Sequence, residues 1–182
     1  SPRNVSIEVA RTISRYARGR SKIVALVVDA DDKLIDAINA GLQPDYFQVH
    51  GSETPQRIAA IKARTGVPVI KAIKIRDAHD IEMARGYNDT ADMILFDAKA
   101  PEDLVNALPG GNGLAFDWSL LSANRSQKNY MLSGGLNLDN VARAIDITSA
   151  PIVDVSSGVE SRPGVKDAAA IMKFIETVRQ HG

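Results

Sequence analysis

Apolar residues along the 182-residue chain follow two alternating patterns. Short, almost continuous apolar runs are typical of strands buried on both faces of a parallel sheet. Longer segments with apolar residues at every third or fourth position are typical of amphipathic helices. The runs predict strands at 22–28, 46–49, 67–73, 93–96, 130–132 and 152–155. The longer segments predict helices at 7–18, 33–40, 54–64, 77–85, 119–124, 137–145 and 167–179, with Gly19 and Gly41 ending the first two.

Strict alternation of strands and helices predicts an α/β protein with parallel strands and right-handed crossovers. Six units in 182 residues are about 30 residues each, a spacing that favours a (βα)8 TIM barrel over a doubly wound sheet. We therefore expect one barrel domain over residues 1–182, with about six of eight βα units present and strands 1 and 2 missing upstream. One face of the last helix is expected to pack on this barrel: Ala168, Ile171, Met172, Ile175 and Val178.

Parallel strands place the residues that follow them on one rim of a barrel, where barrel enzymes carry their chemistry. These residues are Asp29, Gln48, His50, Lys74, Asp97, Asp117, Ser133, Gly134, Asp154, Ser156, Ser157 and Gly158. Arg3 precedes the first helix and belongs on the same side. Such a set suits acid–base work on a phosphorylated sugar or small anion. The alternatives are that Asp29 and Asp97 only cap helices and that His50 is a hydrogen-bonded structural histidine.

Two turns near the end of the chain are rich in small residues. They are Ser133-Gly134-Gly135 and Ser156-Ser157-Gly158, each directly after a predicted strand. Small residues let backbone N–H groups approach an anion closely, and the N-terminus of a following helix adds partial positive charge. Ser and Gly are also common in ordinary turns. The pair together predicts a phosphate site at the end of the barrel.

Composition excludes several classes of function. Lys+Arg and Asp+Glu are equal at 22 each, so no overall field favours nucleic acid or a membrane surface. Cysteine is absent and the three histidines lie far apart, which argues against a metal site. No apolar run has membrane-spanning length and the N-terminus has no signal-peptide pattern, so we expect a cytoplasmic protein.

Six runs, in this order, resemble phosphoribosylanthranilate isomerase of tryptophan biosynthesis. They are Ser1-Pro-Arg3, Phe47-Gln-Val-His-Gly51, Val69-Ile-Lys-Ala-Ile73, Gly113-Leu-Ala-Phe-Asp-Trp118, Leu132-Ser-Gly-Gly-Leu136 and Asp154-Val-Ser-Ser-Gly-Val-Glu160. The resemblance implies a (βα)8 barrel that needs no cofactor or metal, acts on a small phosphoribosyl substrate, and is a monomer or homodimer. The implied reaction is the Amadori rearrangement of N-(5-phosphoribosyl)anthranilate to the corresponding 1-deoxyribulose 5-phosphate aminoketose.

The resemblance also implies residue roles. Asp117 would be the general acid that protonates the ring oxygen, with Phe116 and Trp118 as an apolar wall that raises its pKa. Its alternative role is an N-cap for the helix starting at Ser119. Arg3 would bind the anthranilate carboxylate and Asp154 would lie near the substrate amine and sugar hydroxyls. The remaining substrate-binding residues would be Gln48 and His50, with Ser133, Gly134, Gly135, Ser156, Ser157 and Gly158 in the phosphate cradle.

One feature departs from the family pattern. The family base is a cysteine in the first strand, and this chain has no cysteine. We therefore expect the base upstream of Ser1 and expect these 182 residues alone to be inactive. Two alternatives stay open: another phosphate-binding barrel isomerase, such as one of histidine biosynthesis, or a non-catalytic phosphosugar-binding fragment.

Overall fold

The computed structural model describes residues 3–98, 117–122 and 130–182. The predicted connection at 98–118, including Phe116, lies largely outside this range, as do Ser1, Pro2 and the predicted end of the helix at 119–124. The described residues divide into two compact units. The first contains Asn4–Ala72 and Gly86–Met93, and the second contains Arg3, Ile73–Arg85 and the described residues from Ile94 to Gly182.

The first unit alternates helices and parallel strands. Its elements are α1 (Ile7–Ala17), β1 (Val24–Val27), α2 (Asp32–Leu42), β2 (Tyr46–Val49), α3 (Pro55–Thr65) and the start of β3 (Val69–Ile75). Strand β2 pairs in parallel with β1 and with β3, through Val24↔Tyr46 and Phe47↔Val69. Ser6, Asp31 and Thr54 cap the three helices through their side-chain oxygens. The core of this unit lies between the strands and the helices, around Ile35, Phe47 and Ile58.

The second unit has the same alternation with one addition. Its elements are α4 (Ala78–Ala84), β4 (Met93–Ala98), α5 (Ser119–Ser122), β5 (Tyr130–Leu132), α6 (Val141–Thr148), β6 (Ile152–Val153), β7 (Glu160–Arg162), β8 (Val165–Lys166) and α7 (Ala168–His181). Strand β5 pairs in parallel with β4 and β6, and its side chains pack on β4 through the rings of Phe96 and Tyr130. The antiparallel hairpin β7–β8 precedes the last helix. The α/β class and the parallel pairing predicted from the sequence are therefore confirmed.

Three predicted features are wrong in their details. Gly41 does not end α2 but lies within it, where a Cβ atom would come 3.2 Å from the Ile7 side chain, and the helix ends with Gln43 in the left-handed region. Strand β1 is buried on one face only, because Val24 and Leu26 point to the exposed side. Here the apolar run does not indicate burial on both faces.

The packed face of α7 also differs from the prediction. Met172 is 73% exposed and Ile175 is 44% exposed, whereas Phe174 is buried. A shift of one residue along a helix turns the apolar stripe by about 100°. The helix therefore packs on α6 through the side that carries Phe174, with Ile171 and Val178 partly buried beside it.

Candidate active site

The first small-residue turn follows β5 and is held tightly against β4. The Ser133 N–H donates to the Phe96 carbonyl at 2.8 Å, and Ser133 is 8% exposed. Gly134 and Gly135 both have positive φ, at 87° and 67°. A Cβ atom at Gly134 would lie 2.4 Å from the Ala98 nitrogen, so only glycine fits. The turn therefore presents backbone without side chains, as the sequence predicts.

Helix α6 begins shortly after this turn, later than predicted. The Asn137 N–H donates to the Asn140 side chain at 2.9 Å, and the Asn140 amide donates to the Gly135 carbonyl at 3.0 Å. This local network replaces the predicted first turn of helix at 137–140. Asn140 makes no side-chain cap hydrogen bond to the helix. Asn140 therefore leaves α6 without a side-chain cap, and the first N–H of the helix, that of Val141, donates to the Asn137 carbonyl at 3.1 Å.

The second small-residue turn lies directly against the first. Gly158 forms a parallel bridge with Asn137, and a Cβ atom at Gly158 would lie 1.9 Å from the Leu136 carbonyl oxygen. The Ser133 hydroxyl donates to the Asp154 carboxylate at 2.9 Å. Ser156 and Ser157 are half-buried beside Gly158. The structure thus brings the two turns and Asp154 together in one place.

A buried carboxylate that sequence reasoning did not assign lies behind the second turn. Glu160 accepts from Arg3 Nε and Arg3 Nη2, both at 2.8 Å, and from Lys166 Nζ at 2.8 Å. Its side chain is only 4% exposed. Lys166 Nζ also donates to the Ser156 carbonyl at 2.7 Å and to the Ser156 hydroxyl at 3.2 Å. Arg3 is therefore tied, through Glu160 and Lys166, to the phosphate-type turn.

The charge state of Glu160 follows from these contacts. Hydrogen bonds from Arg3, followed by those from Lys166 and the Gly164 N–H, lower the pKa of Glu160 to about 2 against the opposing effect of burial. A sequence signal that could have pointed to this contact is Lys166, six residues after Glu160 and across Pro163-Gly164. The hairpin β7–β8 that creates this pairing has only three and two residues, too few for a periodic pattern.

Asp117 caps helix α5, as the alternative reading of the sequence proposed. Its Oδ1 atom accepts from the Ser119 N–H at 2.9 Å, and the residue is exposed. Hydrogen bonds from the Ser119 side chain and N–H lower the pKa of Asp117. The expectation that apolar neighbours raise this pKa is therefore wrong for the structure as described. Trp118 is buried beside it, and its Nε1 atom has no hydrogen-bond partner within the described ranges.

Gln48 and His50 belong to the first unit. They are 5% and 6% exposed and lie at the end of β2, where the His50 N–H donates to the Val27 carbonyl at 2.9 Å.

Asp29 does not cap a helix: its carboxylate accepts from the Ser52 N–H and hydroxyl, and the cap of α2 is Asp31. Asp97, in the second unit, accepts from the N–H of its neighbour Ala98 at 3.0 Å, and the residues whose helix it was expected to cap lie outside the described ranges.

Within residues 3–98, 117–122 and 130–182, no group of three metal-ligating side chains comes together. The helices of these same stretches include none long and apolar enough to cross a membrane. The polar chemistry of the second unit is instead concentrated in the paired turns, Asp154 and the Arg3–Glu160–Lys166 network.

Parallel strand–helix units with paired Ser/Gly turns at neighbouring strand ends are characteristic of α/β proteins of the phosphate-binding barrel class. Residues 1–177 match the family model of N-(5'phosphoribosyl)anthranilate (PRA) isomerase. The chain therefore belongs to this isomerase family, and its assignment from sequence to an isomerase of tryptophan biosynthesis is confirmed.

Individual relatives support the same assignment. An N-(5'-phosphoribosyl)anthranilate isomerase from Parvibaculum lavamentivorans is 50% identical over 99% of this chain and 84% of that protein. The crystal structure of the Thermotoga maritima isomerase is 36% identical, with a TM-score of 0.86 over 99% of this chain and 83% of that one. The crystal structure of a phosphoribosyl anthranilate isomerase in complex with reduced 1-(o-carboxyphenylamino)-1-deoxyribulose 5-phosphate is 34% identical. Its TM-score is 0.83, and the match covers 99% of this chain and 82% of that one.

Proposed function

We propose that the protein containing this chain catalyses the Amadori rearrangement of N-(5-phosphoribosyl)anthranilate. The observation that carries the proposal is that each small-residue turn contacts a residue next to the other turn: Gly158 bridges Asn137, two residues after the first turn, and the Ser133 hydroxyl donates to Asp154, two residues before the second. Together with family membership, these contacts favour a preformed cradle for the substrate's 5-phosphate. The proposed cradle consists of Ser133, Gly134, Gly135, Ser156, Ser157 and Gly158. The start of α6 and the Lys166 ammonium supply positive charge nearby.

Arg3 is the proposed partner of the anthranilate carboxylate. A guanidinium offers five N–H donors in a planar fork that matches a carboxylate, and the contact with Glu160 occupies two donor atoms, Nε and Nη2. The described trio of Arg3, Lys166 and Glu160 carries a formal net charge of +1. An anionic substrate group is therefore attracted to it. Asp154, which accepts from the Ser133 hydroxyl, is the proposed contact for the sugar hydroxyls or the amine. Gln48 and His50 are further proposed substrate contacts.

Asp117 is the proposed general acid. It would give a proton to the ribose ring oxygen as the C1–O bond breaks, which leaves an iminium at C1. A base would then remove the C2 proton, and the resulting enolamine would become the aminoketose. Because the Ser119 hydrogen bonds lower the pKa of Asp117, its carboxylate is ionised at neutral pH before substrate binds. Exclusion of water by the substrate would favour the protonated form needed by an acid.

The base stays a prediction from the resemblance. We propose a cysteine upstream of Ser1, since none of the 182 residues is cysteine. We likewise propose two upstream strands that would complete an eight-stranded barrel, and we propose that these 182 residues alone are inactive. No cofactor or metal enters the proposed reaction. The proposed ligand is the phosphoribosyl substrate, and the proposal allows either a monomer or a homodimer. The coding sequence before Ser1 tests the base directly: a Lys-x-Cys-Gly run supports it, and a start codon at Ser1 contradicts it.

The acid role is tested in the protein made from its complete coding sequence. Asp117→Asn keeps a capping side chain but removes the proton donor, so we expect turnover to fall about 10²–10⁴-fold while a phosphate-bearing product analogue still binds. The matched control is Asp77→Asn, because Asp77 also caps a helix and has a lowered pKa. Near-normal turnover of the Asp117 variant, or an equal loss in the Asp77 variant, would contradict the role.

A further inference from the structure

Glu160 is the residue on which two parts of the proposed site converge. Its carboxylate binds Arg3 through both oxygens and binds Lys166 through Oε1, while the Gly164 N–H reaches Oε2 at 3.2 Å. Each of the two carboxylate oxygens therefore accepts two hydrogen bonds. A nearly buried carboxylate with this many donors is fixed in one orientation.

The bidentate contact also fixes its partner. When both Nε and Nη2 of Arg3 donate to one carboxylate, the guanidinium plane is set by that carboxylate rather than by the flexible arginine stem. Arg3 comes only four residues before α1 and its side chain is 21% exposed, and the two contacts with Glu160 hold its guanidinium at this partly exposed position. Lys166 fixes the other side, because the same ammonium holds both Glu160 and Ser156.

We propose that Glu160 is a positioning residue that fixes Arg3 at a set distance from the phosphate turn and thereby selects substrates carrying both a carboxylate and a phosphate. This inference rests on the proposed function, in which Arg3 binds the anthranilate carboxylate. Glu160 itself touches no substrate in this scheme. It acts through Arg3 on the carboxylate end and through Lys166 on the phosphate end.

The test compares two reduced product analogues, one with the ring carboxylate and one without it, bound to the complete protein and measured by calorimetry. We expect the native protein to prefer the carboxylate-bearing analogue by about tenfold or more, the usual value of a charge-assisted bidentate contact. Glu160→Gln should remove most of this preference and raise KM more than it lowers kcat. Arg3→Ala should remove the same preference, and Glu160→Gln should cost nothing further in the Arg3→Ala background.

The matched control is an exposed bidentate pair in the first unit, between two residues with no proposed substrate contact. Arg64 contacts Asp36 through Nε at 2.5 Å and Nη2 at 2.6 Å, and Asp36→Asn should leave the preference and KM unchanged. If Glu160→Gln fails to fold, Glu160→Asp keeps the charge but shortens the side chain, and it should still reduce the preference several-fold. An unchanged preference in either folded variant overturns the proposal. Failure of the native protein to turn over phosphoribosylanthranilate would instead overturn the proposed function.

Discussion

Removing either member of the buried ion pair between Glu53 and Lys71 is expected to destabilise the first unit strongly. The two side chains are 2% and 3% exposed, and Lys71 Nζ lies 2.8 Å from Glu53 Oε2 and 2.7 Å from the Gly51 carbonyl. The Glu53 carboxylate also accepts hydrogen bonds from the backbone N–H groups of Asp29 and Gly51, at 2.8 and 2.9 Å. The pair therefore joins the ends of β1 and β2 to the middle of β3.

Glu53 and Lys71 keep different numbers of hydrogen bonds when the other residue is replaced. In Lys71→Met, the Glu53 carboxylate still accepts from two backbone N–H groups. In Glu53→Gln, the buried Lys71 ammonium keeps only the Gly51 carbonyl and faces a neutral amide in place of the carboxylate. Removing one member of a buried pair costs about 3–5 kcal/mol. We expect Lys71→Met near the lower value and Glu53→Gln near the upper one. The double variant removes both charges and should cost clearly less than the sum of the single variants.

Urea unfolding of the complete protein at pH 7, followed by far-ultraviolet circular dichroism, gives these free energies. The control is Glu82→Gln, which breaks an exposed contact with Arg85 and should cost no more than about 0.5 kcal/mol. The reasoning is refuted if Glu53→Gln costs no more than Glu82→Gln. Strict additivity of the two single variants would also refute it, because it would mean that the charges do not interact.

Three further predictions concern the second unit, with one control from the first. Gly134→Ala should cost about 2–5 kcal/mol and weaken phosphate binding, whereas Gly66→Ala, with φ of 69° but open space around it, should cost about 1–2 kcal/mol in the same urea assay. Ser119→Ala should raise the pKa of Asp117, measured by carbon-detected NMR titration; an unchanged pKa would contradict the assigned cause. The pKa of Glu160 is lowered from 4.5 to about 2, so its stabilising contribution is present above pH 4.5 and is lost as pH falls toward 2. The stability difference between native protein and Glu160→Gln should shrink in that window, and a difference independent of pH would contradict this.

The elements predicted best from the sequence are those with clear boundaries. Strands β2 and β5 match their predicted ranges, and α1, α2 and α3 begin within one residue of their predicted starts, where Ser6, Asp31 and Thr54 cap them. Gly41 shows the limit of this reasoning. A glycine next to a helix end normally indicates a stop, but here close approach of α1 and α2 requires the absence of a side chain.

The candidate site was predictable in its turns and not in its supporting contacts. Positive φ at Gly134 and the tight approach at Gly158 follow from residue type. The roles of Glu160 and Lys166 depend on a seven-residue hairpin that brings together residues six positions apart, and on Arg3, 157 positions before Glu160 in the chain. No periodic pattern in a single sequence encodes such a distant pairing.

The state of Asp117 bears on how the proposed reaction would start. A carboxylate whose pKa is lowered by Ser119 has no proton to give at neutral pH, so an acid role requires an environment that the unliganded geometry does not supply. Trp118, the next residue in the chain, is buried, and its indole N–H has no partner among the described residues. A substrate that covers Asp117 would remove water from the carboxylate and raise its pKa, while the Ser119 contacts oppose the rise. The same aspartate can thus cap α5 before binding and donate a proton only after binding, which confines the acid to the occupied site.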